Sequence, residues 1–473
     1  MSNNTLIRTC LLAALGNNLT RVTFPEAGTI DANPYNLNFP VVPAAITVPE
    51  STAQVANVVR CAASNGYKVQ SRSGGHSYAN HGLGGTDGAI VVDLKELKQF
   101  SMDESTYTAS IGSGMLLDEV THKLYDNGKR AMAHGVCRQV GAGGHFTIGG
   151  LGPTARQWGS SLDHIEEVEV VLANSSIVRA SNTQNQDVLF AIKGAAASFG
   201  IVTEFKVRTE PAPDVAVQYT YELILGNTTD RARILADWQD FISDPNLSRK
   251  FASIMIVFEH GMLLTGDFYG TKEEFDDLGL ADRFPIRKPG NIAILTDWLG
   301  MTGHAVEELA LGIIGGIPLH FYAKSMAFTQ DSLMSQSTFE KLFDYLDNTD
   351  KDTLLWLVYF DLQSGATGDV PNNATAYAHR DTLYWLQSYA VNLVGPVSNT
   401  TIGFLQGINS LIAQDVPSAN TRAYPGYVDP FMPDSQERYW GSNLPRLERI
   451  KAAIDPDDVF HNPQSVKQRK HDS

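Results

Sequence analysis

Apolar and polar residues alternate over several short runs and recur every three to four residues in others. The chain therefore reads as short strands mixed with helices. Towards the N-terminus, Ala45–Val48, Lys68–Arg72, Ala89–Leu94 and Ile111–Gly114 read as strands. Ser51–Ala63 reads as a helix with Val55, Val58 and Val59 on one side and Ser51 or Thr52 as its cap. Leu117–Tyr125 reads as a second helix, whereas residues 1–45, rich in Asn and Pro, read as irregular. This alternation predicts an α/β layer. Ile165–Leu172 and Ile177–Ala180 flank Asn174-Ser175-Ser176 as a hairpin. Val188–Lys193 reads as a short helix and Phe199–Val207 as a half-buried strand.

Pro211-Ala212-Pro213 interrupts the pattern and marks a boundary between residues 1–210 and 211–417. Beyond it, Val215–Leu223, Ser253–Glu259, Met262–Tyr269 and Leu354–Leu362 read as strands. Arg231–Ile242, capped by Thr229, reads as a helix, as do Phe275–Leu280, Ser337–Leu346 and Thr400–Gln414. Long strands without strict alternation predict an antiparallel sheet backed by helices, hence an α+β class with two domains. After Pro417, the helix Leu444–Ile454 and the stretch Phe460–Val466 lead to the expectation that residues 418–473 complete the first domain.

Composition narrows the class. At 473 residues the chain exceeds one typical core. A net charge of −16 gives no basic footprint for nucleic acid or anionic lipid, so neither is expected as a partner. No apolar run is long enough for a transmembrane helix. The start lacks the basic flank and cleavage site of a secretory signal, which suggests a mature form or a leader replaced by Met. Sequons at Asn3, Asn18, Asn174, Asn227, Asn246, Asn373 and Asn399 point instead to an extracellular protein. The cysteines are Cys10, Cys61 and Cys137, an odd count that leaves one thiol for another task. The histidines lack paired ligand spacing, so no metal is expected.

Two glycine-rich stretches concentrate the candidate chemistry. They are Gln70–Gly85 (QSRSGGHSYANHGLGG), with His76 inside it, and Gly135–Gly152 (GVCRQVGAGGHFTIGGLG), with Cys137 inside it. Such runs bend tightly and leave amides free to converge on an anion. They also occur as plain turns, and a lone His or Cys is often structural. Neither stretch is a Rossmann fingerprint or a Walker loop.

RSGGHSY at Arg72–Tyr78 and GVCRQVGAGGHF at Gly135–Phe146 resemble the flavin loops of the berberine bridge enzyme-like group of the vanillyl-alcohol oxidase superfamily. TRAYPGYVD at Thr421–Asp429 resembles the motif of its catalytic tyrosine, and RYWGSNLPRL with FHNPQSV its C-terminal signature. The wording of the first loop and HRDTLYWLQ at His379–Gln387 are similar to fungal gluco-, chito- and xylooligosaccharide oxidases.

The resemblance implies a two-domain fold of the p-cresol methylhydroxylase type and an FAD attached twice, by His76 to its 8α-methyl and by Cys137 to its C6. It implies a Cys10–Cys61 disulfide. Further flavin contacts would come from Arg72, Ser73, Gly74, Gly75, Ser77, Gly141, Gly143, Gly144 and Asn462, with Gly74-Gly75 clearing the approach. Gly194–Gly200 (GAAASFG) departs from the more glycine-rich stretch of many relatives and stays outside this set. Tyr427 would be the base and Asp361 its hydrogen-bonding carboxylate, with Tyr424 and Tyr439 as rivals. Tyr78 and Gln387 would contact substrate; Trp356 and Tyr384 fit that role or a core one. Val140, at the position that gates oxygen, implies an oxidase rather than a dehydrogenase. The expected protein is a secreted, monomeric oxidase turning the anomeric hydroxyl of an oligosaccharide into a lactone, with molecular oxygen reduced to hydrogen peroxide. The alternative is an oxidase of an aromatic alcohol or secondary metabolite.

Overall fold

A computed structural model describes residues 3–26, 32–287, 290–302 and 318–469. The N-terminal strands Ala45–Thr47, Ile90–Asp93 and Val69–Arg72 pair in parallel, in that spatial order, with Val22–Thr23 antiparallel at one edge. The crossover helix Thr52–Ser64 buries Val55, Val58, Val59 and Cys61, and Ser51 caps it by accepting from the Gln54 amide. The expected α/β alternation ends there. Thr108–Gly112 enters a five-stranded antiparallel sheet with Phe100–Asp103, Ile201–Arg208, Ile165–Val171 and Ile177–Ser181.

The segment expected to be irregular contains the helix Asn3–Ala14. Its signal is Ile7, Leu11, Ala14 and Leu15, one apolar stripe that is buried. Cys10 on this helix is disulfide-bonded to Cys61. Pro211, expected in a break, lies in the short strand Glu210–Pro211 paired with Arg130–Ala131.

Farther along, a seven-stranded antiparallel sheet runs in the order Asn291–Leu295, Ala216–Glu222, Gly261–Phe268, Ile254–Phe258, Leu355–Leu362, Thr382–Asn392, His320–Thr329. Thr382–Asn392 and His320–Thr329 escape a reading based on alternation because both their faces are covered: ten of the eleven residues of Thr382–Asn392 are buried. The helices Thr228–Ile242, Gln336–Asn348 and Asn399–Asp415 share one core with one sheet face, through residues such as Trp238, Phe339, Phe404, Met255, Leu264 and Phe360. Trp356 and Tyr384 belong to that core, so neither serves the opposite face. The expected helix Phe275–Leu280 is two short ones, Lys272–Asp276 and Leu280–Arg283, split at Gly279 with φ +66°. The C-terminal helix Leu444–Ile454 packs on Gln186–Ala195, and Val69 donates its amide to Val459 O. The chain end thereby returns to the first parallel sheet.

Candidate active site

One cavity of about 410 Å³ lies between the two glycine-rich loops and the helix-free face of the seven-stranded sheet. Every residue expected to touch flavin or substrate lines it: Arg72–Tyr78, Cys137, Val140, Gly141, Gly143, Gly144, Asp361, Gln387, Tyr427 and Asn462.

The loops are built against each other. The second loop contains a turn closed by Val140 N–H to Cys137 O at 3.1 Å. It is tied to the helix Leu117–Asp126 by Leu117 N–H to Val140 O at 2.9 Å. A Cβ on Gly141 would collide with Gly74 N and Ser73 Oγ, and one on Gly74 would collide with Gly141 N and Gln139 O. Gly74 is therefore glycine so that two backbones can touch, which corrects the expectation that it clears a path for a ligand. Gly144 meets nothing within 4 Å, which leaves its face open. Ser73 Oγ donates to Ser113 O at 2.6 Å and accepts from Gly143 N–H at 3.3 Å, a further stitch between the loops.

His76 is held neutral: burial pushes its pKa down to about 4, and its ring stands 4.5 Å from that of Tyr35. A neutral imidazole keeps the lone pair that a nucleophile needs. Cys137 is half-buried on the same cavity. Arg72 also lines the cavity. Its guanidinium donates to Asp93 Oδ2 at 2.6 Å and to Ala32 O at 2.9 Å. This pairing ties Arg72 to the loop root.

Asn462 is buried where the C-terminal segment turns, its Oδ1 accepting from Gln464 N–H at 3.0 Å. The buried Lys451 pins that segment, with Nζ 2.8 Å from both Phe460 O and Ser198 O and 2.6 Å from Asp455. Ser198 belongs to the stretch GAAASFG, which also lines the cavity. Gly194 in it has φ +139°, and a Cβ there would strike Tyr377 N. The missed signal is this pair of glycines around alanines, since small residues admit a close ligand as glycines do.

The opposite wall is made of side chains. Asp361 pairs across the strands with Trp385 and Ile254, and Tyr359 pairs with Gln387. Directly opposed residues share a face, so Asp361, Tyr359, Trp385 and Gln387 present one surface to the cavity. Burial raises the Asp361 carboxyl to about 7 against a lowering hydrogen bond from Gln363, whose Nε2 donates to Oδ2 at 3.0 Å. Tyr78 stacks on Tyr427 with centroids 6.2 Å apart, and burial raises its hydroxyl to about 12.

The two rival tyrosines are occupied. Tyr424 is buried, its hydroxyl accepts from Gly150 N–H at 3.1 Å, and burial raises it to about 12. Tyr439 is buried and donates to Gln464 Oε1 at 2.9 Å. Tyr427 is half-buried and edge-on to Tyr424. Its chain is held two residues on, where buried Asp429 accepts from Tyr322 Oη at 2.9 Å and Lys324 Nζ at 2.5 Å. Sequence reading missed Tyr35, Tyr359, Trp385 and Asp267 as cavity residues. Tyr35 sat in a segment without periodicity, and the others on strands whose facing is set only by the assembled sheet. Among the described residues no group of three His, Cys, Asp or Glu could hold a metal, and no helix could cross a membrane.

Residues 43–181 match the FAD binding domain family, and residues 423–467 match the berberine and berberine-like family. The FAD-linked oxidoreductase sorD of Penicillium rubens is 40% identical, over 97% of this chain and 98% of its own length. The chitooligosaccharide oxidase of Gibberella zeae is 32% identical, over 92% of this chain and 90% of its own. Among solved structures, a glucooligosaccharide oxidase of Acremonium strictum superposes with a TM-score of 0.88 at 30% identity, covering 98% of this chain and 99% of that one. A xylooligosaccharide oxidase of Myceliophthora thermophila, solved with xylobiose, gives 0.86 at 29%, covering 98% and 100%. The chain belongs to the FAD-linked oxidoreductases that include the fungal oligosaccharide oxidases and the berberine bridge enzyme-like proteins.

Proposed function

We propose that this protein is a secreted oligosaccharide oxidase that carries FAD on both His76 and Cys137. It oxidises the anomeric hydroxyl to a lactone, which opens to an aldonic acid, and passes the electrons to oxygen as hydrogen peroxide. The observation that carries this reading is one cavity with a neutral imidazole and a thiol on its loop wall, Asp361 and Gln387 on its sheet wall, and Tyr427 entering from a turn of the C-terminal segment.

The residues suit a flavin. Backbone amides crowd the loop contact at Gly74 and Gly141, and the open face at Gly144 admits a flat group. A solved relative, glucooligosaccharide oxidase of Acremonium strictum, holds 6-S-cysteinyl, 8α-N1-histidyl FAD. Bound here, FAD would accept the hydride from the substrate carbon and give the electron pair to oxygen. The rest falls to the protein. Tyr427 removes the hydroxyl proton of the substrate. A free phenol is a weak base near neutrality, so its position must activate it, and an ionised Asp361 favours proton transfer towards the sheet wall. Tyr78 offers an aromatic face to a sugar ring and Gln387 an amide to its hydroxyls. Val140, beside Cys137, keeps a small side chain at the approach to the cofactor.

Secretion is supported by the sequons. Asn18, Asn174, Asn227, Asn246, Asn373 and Asn399 are all exposed, and the Cys10–Cys61 disulfide suits an oxidising compartment. The chain is taken to work as a monomer.

A second reading has one observation behind it. Identity to sorD, described only as an FAD-linked oxidoreductase, is 40%, against 32% for the chitooligosaccharide oxidase. An aromatic alcohol or secondary metabolite would then be the substrate. Peroxide release from cellobiose, xylobiose and chitobiose, set against aromatic alcohols, separates the two. Turnover of a saccharide supports the first reading, and silence on all sugars contradicts it.

A further inference from the structure

The sheet wall holds a second carboxylate that the chemistry above does not use. Asp267 lies on Gly261–Phe268, opposite Gln218, which hydrogen-bonds its carboxyl. It is 2% exposed, lines the cavity, and its Oδ1 has no hydrogen-bond partner among the described residues. A buried acceptor without a partner costs stability, which is retained where a ligand completes it. The strand register gives its place. Asp361 faces Ile254, Ile254 faces Thr265, and Asp267 is two residues beyond Thr265, on the same sheet face. At ~4.8 Å per strand and ~3.4 Å per residue, the Cα atoms of Asp361 and Asp267 are about 12 Å apart. That spacing exceeds the span of a single sugar ring.

We propose that Asp267 is a distal anchor of the substrate site, bonding a hydroxyl on the unit beyond the one oxidised, which in a saccharide is the second ring. This rests on the oligosaccharide reading above. Burial raises the Asp267 carboxyl to about 7. Near neutrality it therefore both donates and accepts, which suits a hydroxyl better than a cation.

The test uses holoenzyme of the wild type, Asp267→Asn and Asp267→Ala, with flavin content and unfolding midpoint measured alongside. Peroxide release is followed on cellobiose, xylobiose and chitobiose and on their monosaccharides. The expected result is a KM for disaccharides raised about tenfold or more in Asp267→Ala and less in Asp267→Asn. Turnover number and monosaccharide KM stay near wild type. Equal changes on mono- and disaccharides, no change, or loss of folding in both variants overturns the proposal. A wild type silent on sugars but active on aromatic alcohols removes the saccharide reading alone. The variants are then compared on aromatic alcohols with and without a distal hydroxyl, and equal KM shifts on the two overturn the anchor. Silence on both panels removes both.

Discussion

The two walls of the cavity are built by different means. The loop wall is backbone: Gly74 and Gly141 touch, Ser73 stitches the loops, and Arg72 with Asp93 fixes the root. The sheet wall is side chains, with Asp361, Trp385, Tyr359, Gln387 and Asp267 standing on strands whose backbones are spent in the ladder. A wall made of backbone tolerates few residues and serves one ligand. A wall made of side chains can change its ligand by substitution while the sheet stays intact. The comparison predicts that loop substitutions remove the cofactor or the fold, and sheet substitutions change the chemistry.

The largest expected effect comes from Tyr427→Phe. Removing a positioned base lowers turnover about 10²–10⁴-fold, with flavin content and unfolding midpoint unchanged. Tyr424→Phe is its control. It leaves the buried Gly150 N–H without its acceptor and costs about 1–3 kcal/mol of stability. Equal losses of turnover in the two variants would contradict the assignment of Tyr427. Next, Gly141→Ala forces the loops apart and costs about 1–3 kcal/mol, read as a lower unfolding midpoint together with reduced flavin loading. Gly144→Ala, with open space around it, leaves the midpoint near wild type. A smaller effect is the pH profile. Asp361, raised to about 7, must be ionised to receive a proton. Its activity is full above that pH and falls about tenfold per unit below it, as expected of one essential base. In Asp361→Asn overall turnover drops and this acid limb disappears, and a limb left in place assigns the titration to another group.

The difference between the walls also decides what the sequence could reveal. The loops were legible because glycine and a nucleophile close together in the chain stay close together in space. The reason for Gly74 was not legible, since Gly141, its contact, is distant in sequence. The pairing of Arg72 with Asp93, on the neighbouring parallel strand, was not legible either. Strands with one covered face, such as Ala216–Glu222, announced themselves by alternation. Thr382–Asn392, buried on both faces, did not, although it carries Gln387 and Trp385. Asp267 gave no signal at all, because its meaning depends on the register of three strands.

The central claim, that the touching loops hold one flavin through two covalent bonds, is tested most directly by acid precipitation followed by mass spectrometry of the digested pellet. The yellow colour stays with the protein, and flavin mass is found on the peptides containing His76 and Cys137. His76→Ala and Cys137→Ala each retain it through the other residue, and only the double variant releases it. FAD freed into the supernatant from the intact protein would contradict the account.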